Sequence, residues 1–261
     1  MIRVLVSGAA GKMGSEVVRA VAEAYDMEVV AAVDPGISGC LVPTASGEHV
    51  ECRADLAMAI EAARPDVMVD FTHPTVVEGN LRVALAAGVD CVVGTTGLSE
   101  DKLAELAKLA PEGTTLFFAP NFAIGAVLLM RFAELASPFF ETAEIIELHH
   151  DAKADAPSGT AMMTALRMAA ASSQWAADPT RHEVLPGARG GVGAGGIHIH
   201  SVRLRGLVAH QEVLLGTAGQ TLTLRHDSYD RASFMPGVLL AVKRVAERPG
   251  LTVGLDALLG I

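Results

Sequence analysis

The sequence has few of the residues that mark several common protein classes. Its three cysteines, Cys40, Cys52 and Cys91, are too few and too scattered among 261 residues for a disulfide framework or a zinc site. Aromatic residues make up 4% of the chain and the formal net charge is −10, so a general nucleic-acid binder is not expected. Hydrophobic residues make up 51%, which excludes a disordered chain.

The chain also lacks a hydrophobic run long enough to cross a membrane. A spanning helix needs about 20 apolar residues, and the best run, Phe122 to Met130, is stopped by Arg131 and Glu134. The N-terminal apolar stretch reaches Ser7 and Gly8 too soon to be the core of a signal peptide. We therefore expect a soluble cytoplasmic protein with no membrane or nucleic-acid partner.

Glycine, in contrast, is abundant, and its placement near the N-terminus predicts a dinucleotide site. A strand over 2–6 leads into a glycine-rich turn, a helix over 15–24, and a second strand over 27–33 that ends at Asp34. The candidate cofactor-binding residues of the turn are Gly8, Ala9, Ala10, Gly11, Lys12, Met13 and Gly14.

Each part of this βαβ unit has a physical role in binding a dinucleotide. Gly8 permits the tight turn, Gly11 lets the backbone approach a pyrophosphate, and Gly14 lets the helix pack on the strand. N–H groups at the helix start attract phosphates, and Asp34 can accept hydrogen bonds from ribose hydroxyls. The spacing is GxxGxxG rather than GxGxxG, so an ordinary glycine turn is the alternative interpretation.

Strands and helices go on alternating up to residue 122, which predicts a doubly wound parallel sheet of Rossmann type. We expect helices over 56–63, 75–87 and 103–109, strands over 67–71, 91–93 and 115–118, and an irregular surface loop over 35–54. Because ligands bind outside the carboxyl ends of such strands, the turns there predict a cofactor rim, although the topology alone also requires polar turns. The rim candidates are Phe71, Thr72, Gly94, Thr95, Thr96, Ala119, Pro120, Asn121 and Phe122.

The alternation breaks after residue 122, which indicates a second domain. A helix over 123–139, a strand over 143–148 and a helix over 161–171 are followed by a glycine-dense loop over 187–196. Three strands over 197–204, 207–215 and 220–226 then follow one another with short connections. This order favours an α+β domain with an open mixed or antiparallel sheet.

Between the strand and the helix of this second half lies ELHHDAKADAPSGTA, residues 147–161, which resembles the most specific segment of the 4-hydroxy-tetrahydrodipicolinate (dihydrodipicolinate) reductase family. Other stretches that match the family extend from residue 4 to about 255, and only 35–65 differs from what the family leads us to expect. They are GAAGKMG, DFTHP, GTTG, APNFAIGAV, LPGARG, GLVAHQEVLLG, LTLRHDSYDRASFMPGVLLAV and ERPGLTVGL.

The resemblance implies an enzyme of the diaminopimelate branch of lysine biosynthesis that reduces a small cyclic dicarboxylate with NADH and/or NADPH. It implies a dinucleotide-binding domain over 1–123 and 233–261, and a substrate-binding and oligomerisation domain over 124–232. The family is typically homotetrameric, so a homotetramer is expected.

The resemblance also implies roles for individual residues. His149 takes the position of the proton donor/acceptor and Lys153 that of a proton donor, while His150 contacts a substrate carboxylate. Gly159 and Thr160 bind substrate by the same resemblance. The Ser158-Gly159-Thr160 run also fits that role by itself, because Ser158 is a good N-cap and free N–H groups at a helix start attract a carboxylate.

Several alternatives remain at the level of sequence. The histidine pair, with His198 and His200, suggests a metal site; consecutive histidines on a strand diverge and Lys153 would repel a cation, so we expect no metal. Another nicotinamide dehydrogenase on the same scaffold, or a nucleotide-binding sensor without chemistry, would leave HHDAKADAPSGT unexplained. A metal-dependent hydrolase built on the histidines is the third alternative.

Cofactor preference depends on the end of the second strand. An arginine beside the acid there usually receives the 2′-phosphate of NADPH, and Asp34 is followed instead by Pro35 and Gly36. Lys12 is a cation that can reach a phosphate. We therefore expect NADH to be preferred and NADPH to be tolerated.

Overall fold

The computed structural model describes residues 1–36, 39, 41–43, 47 and 49–261, which form two compact units. The first unit contains Met1–Phe122 and Phe234–Ile261, and the second contains Ala123–Ser233. Cys40 and most of 37–48 lie outside the described residues. No helix within the described ranges has the length and apolar character of a membrane span.

The first unit alternates strands with helices around one sheet. Its elements in chain order are β1 (Ile2–Ser7), α1 (Gly14–Glu23), β2 (Met27–Val33), β3 (Leu41–Pro43), β4 (His49–Arg53), α2 (Leu56–Ala63), β5 (Val67–Asp70), α3 (Val77–Ala86), β6 (Asp90–Val93), α4 (Glu100–Ala107) and β7 (Thr115–Phe118). After the second unit, the chain returns with α7 (Met235–Arg244), β13 (Gly250–Val253) and α8 (Asp256–Leu259). The strand order in the described residues is β13-β7-β6-β5-β1-β2-β4-β3.

This sheet confirms the predicted Rossmann-type architecture. All its pairings are parallel except that of β3 with β4. Every residue of β5 and β7 is buried, as expected of central parallel strands covered by helices on both faces. Helices α2, α3 and α4 contribute Ile60, Leu81, Leu85 and Leu106 to the core on one face.

The prediction of an irregular loop over 35–54 was wrong at β3 and β4, which pair with each other, and β4 also pairs with β2. His49, Glu51 and Arg53 are exposed while Cys52 between them is buried. That period of two is the mark of a half-buried strand, hidden in the sequence by the Gly, Pro and Ser around it. The C-terminal strand β13, beside β7, was also missed.

The second unit is a helix-covered mixed sheet. Its elements are α5 (Ile124–Ala136), β8 (Thr142–His149), α6 (Gly159–Ala171), β9 (Gly191–Val192), β10 (His198–Arg203), β11 (Ala209–Thr217) and β12 (Gln220–Ser228). Leu129 and Ala133 of α5 and Ala161, Ala165 and Met168 of α6 pack against Ile145, Ile199, Val213 and Leu215 of the sheet.

The strand order of this sheet, β12-β11-β8-β10-β9, differs from the simple hairpin succession that short connections suggest. Strand β8 lies between β11 and β10, antiparallel to the first and parallel to the second. Consecutive β10 and β11 are therefore not neighbours. This order places the carboxyl end of β8, which carries His149, in the middle of the sheet.

Candidate active site

The glycine-rich turn after β1 is held by close backbone contacts. Gly8 has φ +80°, and a Cβ there would lie 2.5 Å from the carbonyl oxygen of Phe71. A Cβ on Gly14 would lie 1.9 Å from the carbonyl oxygen of Gly8, so α1 begins directly against the turn. Ala9 is buried, Ala10 and Met13 are half-buried, and Gly11 and Lys12 are exposed. The exposed backbone and cation adjoin the helix start, where a pyrophosphate would be attracted.

Asp34 at the end of β2 is hydrogen-bonded to the turn. Its Oδ2 accepts from Ala10 N at 3.2 Å and its Oδ1 accepts from Gly36 N at 3.0 Å. A carboxylate has about four acceptor positions, so two backbone donors leave capacity for ribose hydroxyls. The fold also brings Arg53 of β4 to this place, because Asp34 N donates to Arg53 O at 2.9 Å. The residues directly after Asp34 include no arginine, but the neighbouring strand carries the exposed Arg53 at this end of β2.

A buried carboxylate that the sequence reasoning missed organises the rim. Asp70 is 0% exposed, and its oxygens accept from Thr72 Oγ1 at 2.7 Å, Thr95 Oγ1 at 2.8 Å and Asn80 Nδ2 at 2.8 Å. Thr72 N also donates to Thr95 Oγ1 at 2.7 Å. Asp70 thus connects two of the predicted rim residues, Thr72 and Thr95. From the sequence alone, Asp70 is only part of an apolar strand.

The rest of the predicted rim divides into packing and exposed groups. The Phe122 ring is 2% exposed and lies 5.6 Å from the Phe71 ring, centroid to centroid. The Phe71 ring leaves room only for glycine at position 94, since a Cβ there would lie 2.0 Å from a ring carbon of Phe71. Ala119 is buried and Asn121 is half-buried. Thr96 and Pro120 are exposed.

In the second unit, the end of β8 carries a compact charged cluster. Glu147 is 0% exposed and forms a bidentate pair with Arg203 of β10, with Nη1–Oε2 at 2.9 Å and Nη2–Oε1 at 2.8 Å. Glu147 Oε1 also accepts from Ser158 N at 3.2 Å, and Oε2 is hydrogen-bonded to His149 Nδ1. Neither Glu147 nor Arg203 was among the predicted site residues.

Burial lowers the pKa of His149, and nearby Lys153 and Arg203 act in the same direction, while Glu147 opposes them. Burial would raise the pKa of Glu147, but its hydrogen bonds, chiefly from Arg203, lower it overall. Glu147 is therefore ionised and His149 neutral near pH 7.

The loop after β8 presents the other predicted groups. Lys153 Nζ lies 2.8 and 2.9 Å from the two carboxylate oxygens of Asp155, and the Lys153 hydrogen bond lowers the pKa of Asp155. His150 is exposed. Asp151, interpreted from the sequence as solvated or structural, pairs with Arg205 at 2.8 Å. A substrate carboxylate that binds Lys153 must therefore compete with the carboxylate of Asp155.

Helix α6 begins as the sequence predicts. Ser158 is its N-cap, and Ser158 Oγ accepts from Ala161 N at 3.2 Å. Gly159 is exposed, and a Cβ there would meet nothing within 4 Å, so packing within the chain does not require glycine at this position. Thr160 is half-buried in the first turn. The helix start therefore remains a candidate carboxylate site.

His198 and His200 belong to a different set of contacts. His200 Nε2 lies 2.7 Å from Glu144 Oε2, and His198 Nε2 lies 3.1 Å from Asp178 Oδ2. Arg189 bridges the same two acids. In the part of the chain that the structure describes, no group of three or more His, Cys, Asp or Glu side chains could hold a metal ion.

Comparison with known proteins identifies relatives along the whole chain. The family model described as "Dihydrodipicolinate reductase, N-terminus" matches residues 2–122, and the model of its C-terminus matches 125–259. A 4-hydroxy-tetrahydrodipicolinate reductase of Mycobacterium ulcerans is 50% identical, with 100% of both chains covered. One from Synechocystis sp. is 47% identical, covering 99% of this chain and 98% of the relative.

A solved structure shares the fold. It is a dipicolinate-bound dihydrodipicolinate reductase from Paenisporosarcina sp., with a TM-score of 0.86 and 43% identity. The alignment covers 98% of this chain and 99% of that one.

Proposed function

This chain belongs to the dihydrodipicolinate reductase family, and from that membership we infer its reaction. It is an oxidoreductase of lysine biosynthesis that reduces 4-hydroxy-tetrahydrodipicolinate to tetrahydrodipicolinate with NADH or NADPH. The conversion consumes one hydride and one proton and releases the 4-hydroxyl group as water. The resemblance noted in the sequence is confirmed.

The residues of the first unit fit a nicotinamide dinucleotide. The close approach of Gly14 to Gly8 brings the start of α1 against the turn, with Lys12 exposed beside it. We propose that this turn holds the pyrophosphate, that Asp34 holds the adenosine ribose, and that the Asp70-braced rim holds the nicotinamide end. When bound, the cofactor supplies the hydride.

We propose that the second unit binds the dicarboxylate and supplies the proton. Lys153 offers positive charge, His150 offers a ring N–H, and the start of α6 at Ser158-Gly159-Thr160 offers backbone N–H donors to carboxylates. His149 Nδ1 is hydrogen-bonded to Glu147, so Nε2 is the ring nitrogen that can take up a proton, and the imidazolium formed can deliver that proton to the substrate. Lys153 is the second proton donor. The observation that carries this proposal is the cluster of His149, Glu147, Arg203 and Ser158 at one end of β8.

The direct test is a reductase assay. Substrate is generated in situ from pyruvate and aspartate semialdehyde, and loss of the near-ultraviolet absorbance of NADH or NADPH is followed. We expect loss that requires both substrate and enzyme and that a chelator does not prevent. Absence of turnover with both cofactors would contradict the proposal.

We further propose that NADH is preferred, that the enzyme works in the cytoplasm, and that it is a homotetramer. The preference is supported by the carboxylate of Asp34, which would repel a 2′-phosphate. The tetramer is supported by the helix-free face of the second sheet, where Ile146, Leu148, Val202 and Leu214 alternate with the core residues and remain partly exposed.

A further inference from the structure

The helix-covered face of the second sheet changes from apolar to polar within two residues of β8. Ile145 lies in register with Ile199 and Val213, which are core residues. The next inward position, Glu147, is in register with Ser201 and Gln211. A buried carboxylate destabilises a fold unless hydrogen-bond donors compensate for its lost hydration. The donors that contact Glu147 therefore indicate which groups this residue holds in place.

Both oxygens of Glu147 are used. Arg203 of β10 donates to each of them, Ser158 N at the start of α6 donates to Oε1, and Oε2 meets His149 Nδ1. One carboxylate therefore links the neighbouring strand, the helix start proposed to bind substrate, and the proposed proton donor.

The ionised state of Glu147 fixes the tautomer of His149. A carboxylate only accepts hydrogen bonds, so the shared hydrogen must belong to Nδ1 of the imidazole. Neutral His149 then carries its lone pair on Nε2, and a proton must arrive and leave at that atom.

Three charged groups act on His149, one from its own strand, one from the following loop and one from β10. They are Glu147, Lys153 and Arg203, and of these Glu147 alone is negative. With the Glu147 charge removed, the imidazolium would face two cations in a half-buried place. The protonated state would then lose its stabilising partner.

We propose that Glu147 is a positioning residue for the proton transfer: it holds His149 as the Nδ1–H tautomer, directs Nε2 to the substrate, and stabilises the imidazolium that donates the proton. The inference rests on the proposed function, since it assigns a part to the neighbour of the proposed proton donor. Through Ser158 N the same carboxylate fixes the helix start relative to His149.

The test is the pH profile of kcat for Glu147→Gln. A donor must be protonated, so kcat falls as pH rises through the pKa of His149 in the complex. Removing an opposite charge at contact distance shifts a pKa by roughly one unit or more, so we expect this fall to move to lower pH by about that amount. We expect NADH affinity, measured by fluorescence, to stay unchanged.

Two further variants distinguish a positioning role of Glu147 from a purely structural role. Glu147→Asp keeps the charge and should restore the position of the fall, even with a lower kcat. Glu144→Gln is the matched control, because Glu144 lies on the same strand and also pairs with an arginine and a histidine. It should leave the profile in place. A Glu147→Gln profile that is lowered at every pH without a shift, or an equal shift in Glu144→Gln, would overturn the proposal.

A second readout needs neither a variant nor turnover. Long-range proton–nitrogen NMR of the unmodified enzyme should show neutral His149 as the Nδ1–H tautomer. An Nε2–H tautomer would overturn the positioning role. If the reductase assay itself failed, the proposed function would fall while this spectrum still tested the Glu147–His149 contact.

Discussion

At the end of β2, an acidic residue and a basic residue lie on adjacent strands. Asp34 would accept from the ribose hydroxyls of NADH and repel the 2′-phosphate of NADPH, whereas the exposed Arg53 can attract that phosphate. Asp34 therefore accounts for the expected preference for NADH, and Arg53 for tolerance of NADPH.

Replacing Arg53 with Ala should lower kcat/KM for NADPH by roughly tenfold, the scale of one charged hydrogen bond, and leave the value for NADH nearly unchanged. Binding of each cofactor, followed by fluorescence, should show the same difference without turnover. The control is Lys12→Ala, which should weaken both cofactors alike because the pyrophosphate is common to them. Equal losses in Arg53→Ala would remove that residue from cofactor selection.

For single residues, local chemistry was predictable from sequence, and long-range pairing was not. Ser158 Oγ accepts a hydrogen bond from the backbone N–H of Ala161, three residues later, and the sequence alone predicted this N-cap. Arg203 meets Glu147 across 56 positions, and only the parallel pairing of β8 with β10 brings them together. Asp70 and Asn80 were missed because their acceptor and donor roles depend on how α3 packs beside β5.

At the scale of elements, the glycine turn is a backbone contact between β1 and α1. A side chain on Gly14 would enter the Gly8 carbonyl, so the helix would have to move from its place beside the strand. Gly79 in α3 has nothing within 4 Å of its Cβ position. Substitutions at Gly14 and Gly79 therefore distinguish the effect of a lost backbone contact from the effect of helix propensity.

Gly14→Ala should lower the melting temperature and abolish NADH binding, because the helix start moves away from the turn. Gly79→Ala should instead raise the free energy of unfolding by about 0.5–1 kcal/mol, the helix-propensity difference between the residues. Calorimetry and fluorescence titration measure both. Retention of NADH affinity in Gly14→Ala would contradict the role given to the turn.

Asp178 anchors the segment between α6 and β10. Its pKa falls to about 2, first because Thr180 N donates to it and then because Arg189 lies beside it. A folded-state pKa below the unfolded value means that the stabilising contribution is present above about pH 4 and is lost as pH falls through 2. Asp178→Asn should therefore lower the melting temperature at pH 7, and its difference from the unmodified protein should shrink between pH 4 and 2. A difference that stays constant over that interval would contradict this assignment.

At the scale of the whole molecule, the alternation of strands and helices made the first unit predictable, because each βαβ step forces a parallel neighbour. The second sheet was harder, since short connections did not decide which strands pair. The placement of β8 between β10 and β11 depends on packing against α5 and α6. The net charge of −10 excluded one class of partner but did not describe the local cations Lys12, Lys153 and Arg203.

The proposed homotetramer is a prediction at this scale. Sedimentation equilibrium should give four times the mass of one chain, and Leu214→Glu, which places a charge on the helix-free face of the second sheet, should shift the distribution to smaller species. The mass of a single chain for the unmodified enzyme would contradict the proposal. The control is Met58→Glu at an exposed apolar position of α2 in the first unit, where no shift is expected.

We have proposed that the first unit binds the cofactor and the second unit supplies the proton. The decisive measurement is NADH affinity and turnover on the same two variants of the second unit, His149→Ala and Lys153→Ala. We expect both variants to bind NADH as the unmodified enzyme does, while kcat falls by about 10²–10⁴, the range of general acid–base catalysis. Turnover near the unmodified value in either variant would contradict its part in the proton transfer.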